Sequence, residues 1–221
     1  MASVLIIGAS GGIGSALARP AEARGDDVIR LSRSEHGLDV TDEMSVAHHL
    51  GRVDAPLDVL IIATGALEIA GAAPEKALKQ LTPEAMLDQF RLNTLGPALC
   101  LKHALPKLRR DGPARAAVLS ARVGSISDNR LGGWHSYRVA KAGVNQVVRG
   151  AAIELARTHK DAALVALHPG TVATRFAEKY LARHPAIRPD EAATHLWRVI
   201  DGLTPNDSGK FFDYSGAEVP W

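Results

Sequence analysis

The sequence lacks the features that would place the protein in a membrane or in an oxidising compartment. Its single cysteine, Cys100, has no second cysteine with which to form an internal disulfide. No apolar run approaches the roughly 18 residues of a membrane span. The N-terminal segment also lacks the basic region of a signal peptide. We therefore expect a cytoplasmic protein with no membrane partner.

Neither sign of charge dominates, because 26 basic residues nearly balance 24 acidic ones and leave a formal net charge of +2. No run of like charge is long enough to form a nucleic-acid-binding patch. The nine histidines show no metal-ligand spacing. The composition therefore favours neither nucleic acid as a partner nor a metal site.

What the sequence does contain is an alternation of strand-like apolar runs and helical patterns. Repeated strand–helix–strand order requires crossover connections, which are right-handed in nearly all known cases. The economical solution is an α/β fold: a Rossmann-like, doubly wound parallel sheet with helices on both faces. No linker-like composition divides residues 1–221, so a single domain is expected. The predicted strands are 4–7, 28–31, 59–63, 116–119, 163–168 and an edge strand at 210–214, and the predicted helices are 13–24, 83–107, 137–159 and 190–202.

A glycine-rich turn follows the first predicted strand and opens the first helix. Gly8 would allow a tight reversal, Gly12 the close approach of a pyrophosphate, and Gly14 the packing of helix on strand. The N–H groups and positive dipole of the helix N-terminus would face the phosphates. A purely structural turn is the alternative, which the flanking strand and helix disfavour. The residues predicted to contact a dinucleotide here are Gly8, Ser10, Gly11, Gly12, Ile13 and Gly14.

The second predicted strand ends in Ser32 and Arg33 rather than in an acidic residue. An acidic side chain would bind the adenosine ribose hydroxyls of NAD, whereas a hydroxyl and a guanidinium suit a 2′-phosphate. The sequence thus favours NADP(H) over NAD(H), with a solvent-facing arginine as the alternative. Asp39 and Val40, just beyond, could hold the adenine edge through a carboxylate and a backbone N–H.

Tyr137 and Lys141 are four residues apart on a predicted helix and therefore share one face. A phenol with an ordinary pKa near 10 is a poor acid/base group at neutral pH. A nearby ammonium, together with the positive nicotinamide of an oxidised cofactor, lowers that pKa. Tyr137 could then give a proton to a carbonyl oxygen as hydride reaches the carbon. Such a pair is common by chance, so a structural role is the alternative.

Five segments occur in a characteristic order: the glycine turn, Asp39-Val40, Asn93 in Leu-Asn-Thr, the pair Tyr137 and Lys141, and Pro169 to Thr174. In this order and spacing the chain resembles the short-chain dehydrogenases/reductases over nearly its whole length. Residues 119–129 and 132–138, together with 208–213 and the Pro-Trp at 220–221, are most similar to the C-factor-like and sniffer-like carbonyl reductases of that family.

The resemblance implies roles for individual residues. Tyr137 would be the acid/base, and Lys141 would lower its pKa and bond the nicotinamide ribose. Asn93 would hold a helix irregularity and a water that extend a proton relay from Lys141. The further cofactor contacts implied are Ala63, Thr64, Gly65, Pro169, Gly170, Val172 and Thr174.

The chain departs from the family pattern at two places. Where the family usually reads Asn-Asn-Ala-Gly, residues 62–65 read Ile-Ala-Thr-Gly, so the hydrogen bonds that hold this loop are expected from elsewhere, with Thr64 as a candidate. The usual substrate-orienting serine is replaced by Ala121. Either Ser120 or Ser125 is expected to take its role, and the sequence does not choose between them.

The leading hypothesis is an NADP(H)-dependent carbonyl reductase or alcohol dehydrogenase acting on a small carbonyl or alcohol substrate. A non-catalytic NADP(H)-binding sensor or signalling protein is the alternative, supported by Ala121. Residues 175–188 would form a lid over substrate. The apolar face of the helix 137–159 could pair with its twin in a homodimer or homotetramer, or pack on its own sheet. His168 is expected to be a satisfied core histidine.

Overall fold

A computed structural model describes residues 1–174 and 186–221. Within these residues, six parallel strands form one sheet in the order β2-β1-β3-β4-β5-β6. The predicted doubly wound parallel sheet is therefore confirmed. The strands are β1 (Ser3–Ile7), β2 (Asp27–Leu31), β3 (Val59–Ile62), β4 (Ala114–Leu119), β5 (Ala162–His168) and β6 (Phe211–Asp213).

Helices cover both faces of the sheet and connect its strands. None of the described helices is both long enough and apolar enough to cross a bilayer. The helices are α1 (Gly12–Ala23), α2 (Arg33–His36), α3 (Glu43–Gly51), α4 (Pro83–Phe90), α5 (Gly96–Ala104), α6 (His135–Leu155) and α7 (Pro189–Gly202).

The central strands are apolar at successive positions because both of their faces are buried. In β1, Leu5 and Ile7 face the core under α3, α5 and α6, whereas Val4 and Ile6 face the core under α1 and α7. This alternation is the two-residue period of a strand read on a sheet with two covered faces.

The inner face of α6 packs on its own sheet, which is one of the two arrangements expected for its apolar surface. Val144, Val148 and Leu155 are buried in the same core as the strands. Val147 and Ala151 are partly buried against that core. The assembly state of the protein stays a prediction.

The single helix predicted over 83–107 is interrupted in the structure. Between α4 and α5 the backbone forms one π-helical turn, Arg91–Leu95, and after α5 it tightens into a 3-10 turn, Leu105–Lys107. Pro97 supplies a physical reason for the interruption, because it has no N–H to donate to the carbonyl of Asn93. Helices α2 and α3 also lie between predicted elements, and their bounds were not predicted.

The chain leaves β1 for β2 on one side of the sheet and then crosses to β3 on the other side. In such sheets, ligands bind in the crevice beyond the carboxyl ends of the strands where the order reverses. The turn after β1, the loop after β3 and the segments after β4 and β5 all meet at this edge.

Two glycines test whether α1 must approach β1 closely. A Cβ added at Gly14 would lie 2.2 Å from the Gly8 carbonyl oxygen, whereas a Cβ at Gly150 in α6 would meet nothing within 4 Å. We expect Gly14→Ala to lower the free energy of unfolding by about 1–3 kcal/mol through overpacking. Gly150→Ala should raise it by up to about 1 kcal/mol. Urea unfolding of both variants provides the comparison, and equal effects of the two would contradict the close packing at Gly14.

Candidate active site

The turn after β1 has the geometry that its glycines predicted. Gly8 adopts a left-handed φ of +90°. A Cβ at Gly12 would lie 2.5 Å from the Thr174 methyl carbon, so the glycine turn and the segment after β5 meet directly. A side chain at either position would displace backbone or fill the crevice between them.

Helix α1 begins at this turn in a form suited to an anion. Gly11 precedes it without a side-chain cap, and its first turn contains no acidic residue. Its first N–H groups and the positive end of its dipole are therefore available to a phosphate. The Thr64 hydroxyl, after the neighbouring strand β3, is buried without a hydrogen-bond partner. An uncapped helix end and an orphaned buried hydroxyl in one crevice fit the phosphates and sugar of a dinucleotide.

Of the two cofactor-binding residues predicted at the end of β2, one is buried and the other is exposed. Ser32 is buried and caps α2, accepting a hydrogen bond from the Glu35 N–H. Arg33 is exposed. The Asp39 carboxylate accepts hydrogen bonds from the Thr41 side chain and N–H, which lower its pKa, and Arg33 lowers it further. Val40 is buried and faces α5, so only its backbone can serve an adenine ring.

Tyr137 and Lys141 lie together on the buried face of α6, as predicted from their spacing. The Lys141 ammonium nitrogen is 5.8 Å from the centroid of the Tyr137 ring. The same nitrogen donates a hydrogen bond of 3.1 Å to the carbonyl oxygen of Leu119, the last residue of β4. The acid/base candidate and its cation therefore lie at the carboxyl edge of the sheet, against the strand beside β3.

Burial shifts both groups towards their neutral forms. Burial lowers the pKa of the Lys141 amine from 10.5 to about 8. It raises the pKa of the Tyr137 phenol well above 10. In the protein without cofactor, burial therefore sets the direction of the Tyr137 pKa shift, and a bound oxidised nicotinamide would add a positive charge that lowers this pKa.

Asn93 lies in the π-helical turn, so the helix irregularity implied for it is present. Its side chain accepts from the Ala66 N–H at 3.2 Å and donates to the Ala66 carbonyl at 2.9 Å. It also donates to Gln89, which in turn donates to the Leu67 carbonyl at 2.8 Å. A Cβ at Gly65 would lie 2.6 Å from Asn93 and 3.5 Å from the Lys141 nitrogen, so the three residues converge.

The loop after β3 is held by Asn93 and Gln89, and the suggestion that Thr64 holds it was wrong. The Thr64 hydroxyl makes no hydrogen bond, whereas Asn93 and Gln89 bond the backbone at 66 and 67. Sequence reasoning missed Gln89, although its position four residues before Asn93 on a helix places both amides on one face.

Both candidate serines have partners outside the crevice. The Ser120 hydroxyl donates to the Asn145 side-chain oxygen at 2.6 Å. The Ser125 hydroxyl donates to the Pro220 carbonyl and accepts from the Asp128 N–H. Ser125 has therefore committed its proton and a lone pair to other groups, whereas Ser120 retains acceptor capacity next to the Leu119 carbonyl.

The segment after β5 approaches the crevice from the opposite side. Gly170 has a φ of +80°, and a Cβ there would collide with the Tyr214 ring. His168 is less satisfied than predicted, because its Nδ1 is buried without a hydrogen-bond partner, and burial lowers its pKa to about 4.

Of the predicted lid, residues 175–185 lie outside the described residues. Ile187 is bonded to Thr171 and Ala173.

Residues 8–210 match the family model described as enoyl-(acyl carrier protein) reductase. The chain belongs to the short-chain dehydrogenase/reductase family of oxidoreductases. It is 32% identical, over the full length of both chains, to a 1-hydroxy-2-glutathionyl-2-methyl-3-butene dehydrogenase of Rhodococcus sp.. It is 40% identical to the C-signal protein of Myxococcus xanthus over 75% of this chain and 93% of that protein. The resemblance noted in the sequence is therefore confirmed.

A comparison of folds agrees with this assignment. The carbonyl reductase Sniffer of D. melanogaster superposes with a TM-score of 0.81 over 100% of both chains, at 20% sequence identity. At that identity the likeness shows a shared short-chain dehydrogenase/reductase fold.

The buried Lys141 ammonium should make the protein less stable at neutral pH than it would be without that charge. The pKa of the amine is 10.5 in the unfolded chain and about 8 in the folded protein. Between pH 8 and pH 10.5 the unfolded chain therefore binds more protons than the folded protein, and the free energy of unfolding rises with pH over this range. At ~1.36 kcal/mol per pKa unit, the penalty at pH 7 is about 3 kcal/mol. Since its hydrogen bond contributes about 1 kcal/mol, Lys141→Met should be more stable than wild type by about 1–2 kcal/mol.

Urea unfolding between pH 7 and pH 10 measures this difference. The advantage of Lys141→Met should shrink as the pH rises through 8. Replacing the exposed Lys79 by Met is the control and should show no such pH dependence. A Lys141→Met protein that is less stable than wild type at pH 7 would contradict the assignment of a buried charge.

Proposed function

We propose that the protein is an NADP(H)-dependent carbonyl reductase or alcohol dehydrogenase. The observation that carries this proposal is the buried pair Tyr137 and Lys141, with the ammonium 5.8 Å from the phenol ring at the carboxyl edge of the sheet. The glycine turn and the uncapped start of α1 lie at the same edge and suit the pyrophosphate of a dinucleotide.

The nicotinamide, when bound, supplies a hydride to the carbonyl carbon or removes one from the alcohol carbon. In the reducing direction, the Tyr137 hydroxyl gives its proton to the carbonyl oxygen and becomes a phenolate. Lys141 stabilises that phenolate electrostatically and bonds the ribose of the cofactor. Asn93, which converges with Lys141 beside Gly65, extends the path by which the proton is replaced from solvent.

A serine hydroxyl orients the carbonyl oxygen beside Tyr137 in this proposal. Ser120 is the stronger candidate, because it comes directly after Leu119 in the chain and the Leu119 carbonyl accepts the hydrogen bond from Lys141. To donate to substrate, Ser120 must give up its hydrogen bond to Asn145. Ser125 would have to release the Pro220 carbonyl, to which its proton is already committed.

The remaining cofactor contacts would come from four further segments. The glycine turn with Ser10 and Ile13 would hold the pyrophosphate, while Asp39 and the Val40 backbone would hold the adenine. Ala63, Thr64 and Gly65 line the middle of the crevice. Pro169, Gly170, Val172 and Thr174 bound the nicotinamide. Residues 175–188 would close over the substrate as a lid, and the chain would act in the cytoplasm as one domain.

Two relatives whose names state a substrate guide the choice of substrate class. One is the Rhodococcus enzyme, and another, 32% identical over 86% of this chain, is a cis-4-hydroxycyclohexanecarboxylate dehydrogenase of Sinomonas cyclohexanicum. Both names describe hydroxyl-bearing organic molecules. We propose a small alcohol, or the corresponding carbonyl compound, as the substrate class.

A second function is favoured by the relative at 40% identity, which is named C-signal. Together with Ala121 at the usual serine position, this name supports a non-catalytic NADP(H)-binding sensor or signalling protein. The two functions differ in one requirement, because a sensor needs the cofactor crevice but does not need the Tyr137 hydroxyl.

Removal of the Tyr137 hydroxyl distinguishes the two. With a panel of aldehydes and ketones and NADPH, Tyr137→Phe should lower kcat by about 10²- to 10⁴-fold, as expected for loss of a general acid. NADPH affinity, measured by fluorescence titration, should stay unchanged. Tyr214→Phe removes a hydroxyl from a partly exposed tyrosine and is the matched control. Activity equal to wild type in Tyr137→Phe, or no turnover by wild type across the panel, would refute the enzymatic proposal.

Arg33 should decide the preference between the two nicotinamide cofactors. A hydrogen bond to a charged group contributes about 1.5–3 kcal/mol, so Arg33→Ala should weaken NADPH binding by about 10- to 100-fold. NADH binding should change little, because NADH has no 2′-phosphate. The exposed Arg52, replaced by Ala, controls for loss of a positive charge. An equal loss of affinity for both cofactors would contradict the role of Arg33.

A further inference from the structure

A carboxylate from a distant loop is bonded to the start of the helix that carries Tyr137. Glu75 is 6% exposed, and its two carboxylate oxygens accept from the N–H and from the hydroxyl of Ser136. Burial raises the pKa of this carboxyl, but the hydrogen bonds from Ser136 and from the Glu75 N–H, together with the nearby His135, hold the pKa below its ordinary value. Glu75 is therefore an ionised group held in place by the residue that precedes Tyr137.

Helix α6 has no side-chain cap of its own. Its N-cap residue, Trp134, has a left-handed φ of +51° and makes no side-chain capping hydrogen bond. Since the first N–H groups of a helix have no partner within it, a carboxylate at this end satisfies them and interacts favourably with the dipole. Glu75 supplies this cap from outside the helix.

The backbone around Glu75 joins the same loop to the helix a second time. The Trp134 N–H donates to the Glu75 carbonyl oxygen. Gly133 lies so close that an added Cβ would be 3.3 Å from that oxygen. Trp134 itself packs edge-on against Tyr137, with ring centroids 6.3 Å apart. Main chain and side chain of Glu75 thus bond two of the three residues that precede Tyr137, Trp134 and Ser136.

Glu75 also shares a cavity with Tyr137. This cavity is lined by Glu75, Ser136 and Tyr137 together with Gln89 of α4. Its other walls are apolar: Ile69, Ala72, Ala73, Pro74 and Ala85. Gln89 is bonded to Asn93, so the cavity joins the Glu75 contact to the network that converges on Lys141.

We propose that Glu75 is a positioning residue for Tyr137: it caps α6 from the loop that walls the cavity and sets where the phenol meets a substrate. This inference rests on the proposed function, because it assigns Glu75 a role in the reaction of Tyr137. Its carboxylate already has two donors in Ser136, so it acts through the helix rather than by contacting the substrate. A displacement of about 1 Å in a reacting group can cost on the order of 10²-fold in rate.

The experiment compares Glu75→Gln with Glu84→Gln, which removes an exposed carboxylate from the first turn of α4. The neutral amide has one acceptor oxygen for the two Ser136 donors and removes the negative charge at the helix N-terminus, so we expect kcat to fall by about 10- to 100-fold. KM for the carbonyl substrate and the Kd for NADPH should change less than about threefold, because neither ligand loses a contact. Glu84→Gln should match wild type.

Hydrogen exchange measured by mass spectrometry on the segment 130–140 gives a readout independent of turnover. Glu75→Gln should exchange faster there, at unchanged exchange in the β-strands. Ser136→Ala removes only the hydroxyl donor and leaves the N–H bond, so its kcat should fall by a smaller factor. This variant keeps the test decisive if Glu75→Gln folds poorly.

Three outcomes would overturn the inference. Glu75→Gln with wild-type kcat would show that the cap does not position Tyr137. A rise in substrate KM at unchanged kcat would make Glu75 a substrate contact instead. A loss of kcat in proportion to the unfolded fraction would make the cap purely structural. Each of these presupposes an active wild type with an inactive Tyr137→Phe variant, so failure of the proposed function is recognised separately.

Discussion

The burial of the Lys141 ammonium beside Tyr137 is the constraint to which the surrounding structure is fitted. A buried cation is costly unless its hydrogen bonds are made, and here the Leu119 carbonyl at the end of β4 accepts one of them. The turn after β4 must pass close to the lysine, since a Cβ at Gly124 would lie 2.8 Å from the Lys141 Cβ. Gly65 leaves space on the other side, where Asn93 approaches.

The same constraint explains why α6 is fixed from several directions. Its middle packs against the π-helical turn, where the Thr94 hydroxyl donates to the Ala140 carbonyl at 2.7 Å and faces Gly143. Its start is capped by Glu75. In the proposed reaction, the phenol would have to meet a substrate and a nicotinamide at once, so its acidity would count for little unless its position were also held. Electrostatics and positioning therefore depend on one helix.

Features that depend on residues close together in the sequence were predictable from the sequence. The strands followed from continuous apolar runs, the glycine turn from its spacing, and the pairing of Tyr137 with Lys141 from helical periodicity. The contacts that cross the fold were not predictable in this way. Glu75 lies 61 residues from Ser136 in the chain. Gln89 makes a hydrogen bond to the loop after β3 that the sequence suggested for Thr64. The raised pKa of Tyr137 also required the structure, because it depends on burial rather than on the neighbouring lysine.

In the mechanism we propose, Tyr137 is not acidic in the protein alone and becomes so when an oxidised nicotinamide adds its positive charge. The most direct measurement is a spectroscopic pH titration of phenolate absorbance, with and without NADP⁺, after subtraction of the same titration of Tyr137→Phe. We predict that Tyr137 ionises above pH 10 without cofactor and at clearly lower pH in the complex with NADP⁺. An identical titration in both states would contradict it.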